Sequence, residues 1–198
     1  MRRLFAILAA MALALVVAVP AAATRGAPTQ QLPFHLRMSG VDRPLEMAPG
    51  VIPFLDRSTF GGRCSVPSDW ITTVDSVGVA QHLGRVSVVS WHCTRFDFFS
   101  PPPGLSVFNG GHMTLTAANG DELWVTYSGT FLFYPGDTPD VGLSKATFET
   151  MTIVGGTGRF SDASGSLTGT AVDNFPAGPN VTTISGTITY DASMRKHG

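Results

Sequence analysis

Residues 112–133 read HMTLTAANGDELWVTYSGTFLF, and this stretch decides the fold. Met113 and Leu115 alternate with His112, Thr114 and Thr116, the period of two that a half-buried strand requires. Ala118-Asn119-Gly120-Asp121 follows, and its Asn-Gly pair suits a tight hairpin turn. Beyond the turn Leu123, Val125, Tyr127, Phe131 and Phe133 share one face, with Glu122, Thr126, Ser128 and Thr130 on the other. Two antiparallel strands joined by a short turn, each with one apolar face, are the unit from which the rest is read.

The same signals recur on both sides of the hairpin. Downstream, residues 135–140 form a turn, and residues 144–154 a strand that Gly155-Gly156-Thr157-Gly158 ends. Residues 165–172 and 182–190 are Thr-rich strands separated by a loop over residues 176–180. Each carries a Gly on its apolar face, Gly169 and Gly186, which predicts strong bending or close packing of strands. Upstream, Phe34, Leu36 and Met38 alternate with His35, Arg37 and Ser39. Ile71, Thr73, Val77 and Val79 alternate with Thr72, Ser76 and Gly78, and Val86 and Val88 with Arg85 and Ser87. Pro101-Pro102-Pro103-Gly104 is a stiff loop, and residues 43–67, with four prolines and three glycines, form a long irregular excursion. The expected architecture is all-β: a closed antiparallel barrel of about eight strands in neighbour order, since closure removes exposed edges.

Composition agrees. The 198 residues include 22 Gly and 14 Pro, which disfavour a helical bundle, and one domain accommodates the length. Residues 2–23 run from Arg2-Arg3 through an apolar stretch to Pro20-Ala21-Ala22-Ala23, the order of a secretory signal peptide. The apolar run, about 16 residues, is short for a bilayer span of roughly 20. Cleavage after Ala23 would leave a leader over residues 24–33, a barrel domain over residues 34–192, and no membrane span; the chain is expected to be secreted or periplasmic. The mature chain would hold 11 Lys and Arg against 14 Asp and Glu, a balance that does not attract nucleic acid.

An exported chain with two cysteines, Cys64 and Cys93, is most simply read as carrying one disulfide, a reactive thiol or half a metal site being the alternatives. His82, His92 and His112 match no zinc spacing, so the expectation is no metal and no cofactor.

Three segments carry a resemblance: Gln81-His82-Leu83-Gly84-Arg85; Leu115 to Asp121 running into Thr126-Tyr127-Ser128-Gly129-Thr130; and Gly155-Gly156-Thr157-Gly158-Arg159-Phe160 followed by Ala163, Gly165 and Gly169. Together they resemble bacterial secreted proteins of the allene oxide cyclase barrel-like, or dirigent-like, family, over roughly residues 70–190. The resemblance implies an eight-stranded barrel with an apolar lumen, used by plant relatives to cyclise an oxylipin epoxide or guide phenol coupling, and it implies trimers formed through the outer faces.

The candidate sites follow from strand parity. Glu149 shares its parity with Met151 and Ile153; lining the lumen, it would be desolvated and fit for acid–base work, whereas with Phe148 on the core side it would face outward. Tyr127 could present its hydroxyl, and Met151 its side chain, to a ligand. Arg159 and Asp162 fit a helical turn closing a barrel end, as a local ion pair. No G-x-S-x-G elbow marks a hydrolase, and Gly155-Gly156-Thr157-Gly158 lacks the Lys of a phosphate loop. Asn180-Val181-Thr182 is formally a glycosylation sequon. The expected function is therefore binding of a small apolar molecule in the lumen, with a cofactor-free isomerase or cyclase and a self-associating structural barrel as alternatives.

Overall fold

The computed structural model describes residues 30–47, 57–96, 105–133, 142–175 and 179–191. The signal segment and the loops over residues 101–104 and 135–140 lie outside them. Eight strands, β1 (Leu32–Met47), β2 (Trp70–Ala80), β3 (Gly84–Phe96), β4 (Leu105–Ala117), β5 (Glu122–Phe133), β6 (Gly142–Gly156), β7 (Ser164–Phe175) and β8 (Pro179–Thr189), form a closed barrel in sequence order. Every neighbouring pair is antiparallel, and β8 closes on β1 through the register Leu32↔Ile188 to Val41↔Pro179. The expected barrel is present.

The quoted hairpin is β4 and β5, with Leu123, Val125 and Tyr127 buried inside as their spacing requires. Inward side chains of all eight strands form one core, including Phe34, Leu36, Val88, Leu115, Met151, Ile153, Ile184 and Ile188. The two inward glycines do what a Cβ would forbid: at Gly186 it would lie 2.2 Å from the Ser166 carbonyl oxygen and at Gly169 2.7 Å from that of Thr183. β7 and β8 can approach this closely only without those side chains.

Two readings are corrected. β1 continues through Met47, so residues 43–47 belong to a strand and not to the irregular excursion. In β2 the face shared by Val77 and Val79 is outside, with 68% and 61% of their surfaces exposed, while Thr72, Val74, Ser76 and Ala80 face inward. The outer surface carries further valines, and so hydrophobicity alone misassigns this strand.

One barrel end is plugged by a short 3-10 turn (Gly158–Phe160) between β6 and β7, which drives Phe160 fully into the core beside Leu83 and Ala163. The Thr157 amide donates to the Glu122 carbonyl, and the Thr157 hydroxyl accepts from the Glu122 amide, both at 2.9 Å. Arg159 closes the plug as expected but with other partners. It donates to the His82 carbonyl, lies 3.7 Å from the Asp121 carboxylate and covers the Phe160 ring. Asp162 instead accepts from the Asp191 amide.

Residues 57–69 cover the outside of β2 and β3. Phe60, Cys64, Ile71 and Cys93 form a second small core there with Trp91 packed against it. Cys64 and Cys93 are disulfide-bonded, with Cα atoms 5.8 Å apart. The buried Asp69 carboxylate accepts from the Phe96 amide at 2.6 Å and from Arg57 at 3.2 Å, and Arg57 also donates to the Phe96 carbonyl. The 29-residue separation of the cysteines sets a chain-entropy stabilisation of roughly 3 to 4 kcal/mol. Because the bond ties this segment to the wall and the hairpins are local, Cys64→Ser should lower the melting temperature and speed proteolysis within residues 57–69. Strand content by circular dichroism should stay near that of the parent; a collapse of strand signal would show that the barrel itself depends on the bond.

Candidate functional site

At the end opposite the plug, where β1, β3, β5 and β7 finish, the inward side chains do not fill the lumen. They leave a cavity of about 70 Å3. Its lining includes Met38, Val74, Met113 and Phe148 together with two unlike groups of polar residues.

The first group is Tyr127 and His92. A register shift between Trp91 and Cys93 on β3, opposite Asn109 and His112 on β4, accompanies an inward His92 between an outward Trp91 and an outward Cys93. Trp91 stacks outside on His112, ring centres 4.8 Å apart. His92 Nδ1 lies 3.0 Å from the Tyr127 oxygen, and the Tyr127 hydroxyl donates to the Trp91 carbonyl at 3.3 Å. With its proton on Nδ1, the imidazole satisfies both contacts. Phe108 and Phe148 surround this pair edge-on, at 5.3 to 6.0 Å from each other and from Tyr127. A Cβ at Gly111 would meet the Tyr127 ring at 2.5 Å, so a missing side chain on β4 makes room for that ring. Burial holds the His92 imidazole down at about 4 and pushes the Tyr127 hydroxyl well above its usual range. Both are neutral at pH 7.

The second group is acidic. Asp42 on β1, Asn180 on β8 and Asp173 on β7 occupy inward positions of three adjacent strands; Asp173 is in register with Asn180, whose amide donates to Asp42. Asp173 and Asn180 are only 6% and 3% exposed. Asp173 Oδ1, Asn180 Oδ1 and the hydroxyl of Thr94 have no hydrogen-bond partner among the described residues, although buried acceptors are ordinarily paired. Burial, reinforced by Asp42, pushes the Asp173 carboxyl up to about 7, and burial also raises Asp42 above the usual carboxylate range.

The sequence candidates separate. Tyr127 lines the cavity. Met151 is buried in the packed core below it and does not. Glu149 is exposed, its carboxylate accepting from the Thr130 hydroxyl at 3.1 Å. The cause is a bulge: between Phe148 and Met151 the pairing with β7 skips two residues, so both neighbours face inward while Glu149 and Thr150 face out. Glu149 therefore cannot act on a ligand in the lumen. Asn180 of the sequon is buried in this site. Asp42, Asp173 and His92 were not found as site residues from the sequence. The signal was parity: Asp42 continues the series Phe34, Leu36, Met38, and Asp173 the series Leu167, Gly169, Ala171.

Among the described residues no group of three or more His, Cys, Asp or Glu is arranged to hold a metal ion. No protein-family model matches the chain, and no curated protein matches it. What the arrangement offers is an apolar hollow with the Asp42, Asp173 and Asn180 oxygens from β1, β7 and β8 and a neutral Tyr–His pair, with the Thr94 hydroxyl beside it, from β3 and β5.

The two buried groups act on stability in opposite directions. His92 stays neutral in the fold, while an unfolded chain protonates it near its ordinary 6.5; stability is therefore lost as pH falls from there to about 4. Asp173 stays protonated in the fold, while an unfolded chain ionises it near 3.8; its contribution is full below that and is lost as pH rises through about 7. Over the shared window the slopes oppose each other. Urea unfolding should accordingly show stability rising with pH between about 4 and 6.5 in Asp173→Asn and falling in His92→Gln, each by up to about 3 kcal/mol at 1.36 kcal/mol per pKa unit. The parent protein should be flatter than either. Parallel profiles for all three would show that neither group is desolvated as described.

Proposed function

We propose that this chain is an exported barrel protein that binds a small molecule with an apolar body in the cavity of its lumen. The observation that carries the reading is the hollow itself. The barrel is packed with side chains over most of its height, and it stops being packed where aromatic rings and unpartnered acceptors converge. Pockets of that kind, mostly apolar with a few placed polar groups, are where barrels hold ligands. The signal-like N-terminal pattern and the disulfide favour export. Among the described residues no helix is long and apolar enough to cross a membrane. The resemblance to the allene oxide cyclase barrel-like and dirigent-like proteins supports the same use of the lumen.

A second reading, a cofactor-free isomerase or cyclase, is favoured by one observation. Asp173 titrates near neutrality inside the cavity, which suits a carboxyl for acid–base work. In that version Asp173 takes the place first considered for Glu149.

Native mass spectrometry of protein purified from its own host should find a small molecule retained on the folded chain. Ala146→Leu should release it, because Ala146 lines the cavity and its enlargement fills the space a ligand occupies. A parent protein that carries no ligand, and that takes up none of a panel of small aromatic compounds, would overturn the reading.

A further inference from the structure

The acceptors in the cavity have a feature that narrows the ligand. No Lys or Arg is among the described residues that line it, so the two carboxyls have no cationic side chain to offset them. The titratable groups facing the space are Asp42 from β1, His92 from β3, Tyr127 from β5 and Asp173 from β7. β2, β4, β6 and β8 contribute Trp70, Thr72, Val74, Phe108, Met113, Ala146, Phe148, Asn180 and Thr182, none of which titrates. His92 is fully occupied on its Nδ1 side by Tyr127. The titratable carboxyls of the cavity thus have no basic side chain beside them but His92, while its open hydrogen-bonding capacity lies in two acceptor oxygens, Asp173 Oδ1 and Asn180 Oδ1, and in the Thr94 hydroxyl, which can accept or donate.

We propose that the ligand is a small organic ammonium ion, an amine whose protonated nitrogen donates to Asp173, Asn180 and Asp42 while its carbon body lies against the cavity's aromatic rings. This rests on the lumen-binding reading and deepens it. Three chemistries compete for such a space. An anion finds no cationic side chain in the lining and would further oppose the ionisation of Asp42 and Asp173. A calcium or magnesium ion prefers six or more oxygen ligands, and two carboxyl groups beside Phe108, Phe131 and Trp70 are a poor offer, while among the described residues no group of three or more His, Cys, Asp or Glu is placed for a metal of lower coordination. An ammonium ion uses both halves of the lining, since its N–H groups fit the acceptors and its charge is favoured over ring faces. The cavity of about 70 Å3 is smaller than the roughly 150 Å3 that encloses a benzene ring, so the ammonium group sits inside and a single-ring body extends into the open mouth.

The proton balance gives the proposal its signature. Without ligand, Asp173 holds a proton up to about pH 7 because burial and Asp42 oppose its ionisation. A bound cation reverses that balance, so binding displaces the proton, and affinity must weaken as the pH is lowered while the amine itself stays charged.

The experiment is calorimetric titration of the full chain with benzylamine, benzyl alcohol and calcium chloride at about pH 7.5 and about pH 5. Benzylamine is expected to bind at least about tenfold more tightly than benzyl alcohol at the higher pH and to lose about tenfold or more at the lower. Benzyl alcohol, which cannot use the charge, should change little. Asp173→Asn and Asp42→Asn should each remove the preference for the amine while keeping the alcohol, and the pH comparison on the parent protein needs neither variant to fold. Equal binding of amine and alcohol at both pH values would overturn the ammonium assignment and leave lumen binding standing. Calcium binding that displaces benzylamine would overturn it in favour of a metal. Failure of both organic probes to bind the folded protein would overturn the assignment together with the reading it rests on.

Discussion

Because β1 pairs with β2 on one side and with β8 on the other, the sheet has no edge, and every second residue of eight strands is committed to a single enclosed space. That closure is the constraint on which the rest depends. It satisfies the backbone ladder without water, and it fixes the width of the lumen to roughly what side chains can fill in an eight-stranded barrel. Leu, Ile, Val and Phe fill it over most of its length. Polar residues at inward positions are costly where the lumen is packed, and Asp42, Asp173, Asn180, His92 and Tyr127 instead line the cavity at one end.

The readable part of this architecture was the part with unbroken alternation. Residues 122–133 keep one parity from Leu123 to Phe131, and the structure buries that face through Gly129 and half-buries Phe131. β2 was legible as a strand but not in its orientation. Val77 and Val79 are more apolar than the Thr72 and Ser76 opposite them, yet the barrel puts the small and hydroxylated side chains inside, where neighbouring strands crowd. Glu149 shows a second kind of failure. A bulge inserts an extra residue and reverses parity at Phe148, a change that no periodicity carries, and a similar reversal separates Phe108 from Gly111 on β4. Bulges of this kind redirect side chains beside functional sites. Asp42 and Asp173 were missed for a simpler reason: each continues the parity of an apolar series, Asp173 directly after Ala171 and Asp42 after Met38 and Gly40, and an acid there reads as the end of a strand rather than as its continuation.

Such acids are costly to keep. A buried carboxyl without a partner opposes folding wherever it must ionise, and replacing it by an apolar side chain would ordinarily be neutral or better. Here three unpartnered acceptors sit within one cavity, next to a Tyr–His pair that is itself satisfied. The contrast matters, since one cavity holds a satisfied pair from β3 and β5 and, from β3, β7 and β8, polar atoms that are left without partners. Local violations of packing and pairing rules in an otherwise consistent fold concentrate where function resides.

The two ends of the barrel make the same point by comparison. At the plugged end every feature is devoted to closure: Phe160 fills the lumen, Thr157 ties the turn to β5, and Arg159 links Asp121 to the β2–β3 turn through the His82 carbonyl. At the other end the chain spends its fastening on the outside of the wall, through the disulfide and the Arg57–Asp69–Phe96 contacts, and leaves the inside unfilled. A clamp of that kind holds the ends of β2 and β3, and hence Thr72, His92 and Thr94, in fixed positions without occupying the space between them. Rigid walls around an unfilled interior are what a preorganised binding site requires, because a wall that could relax would collapse onto the cavity and remove it.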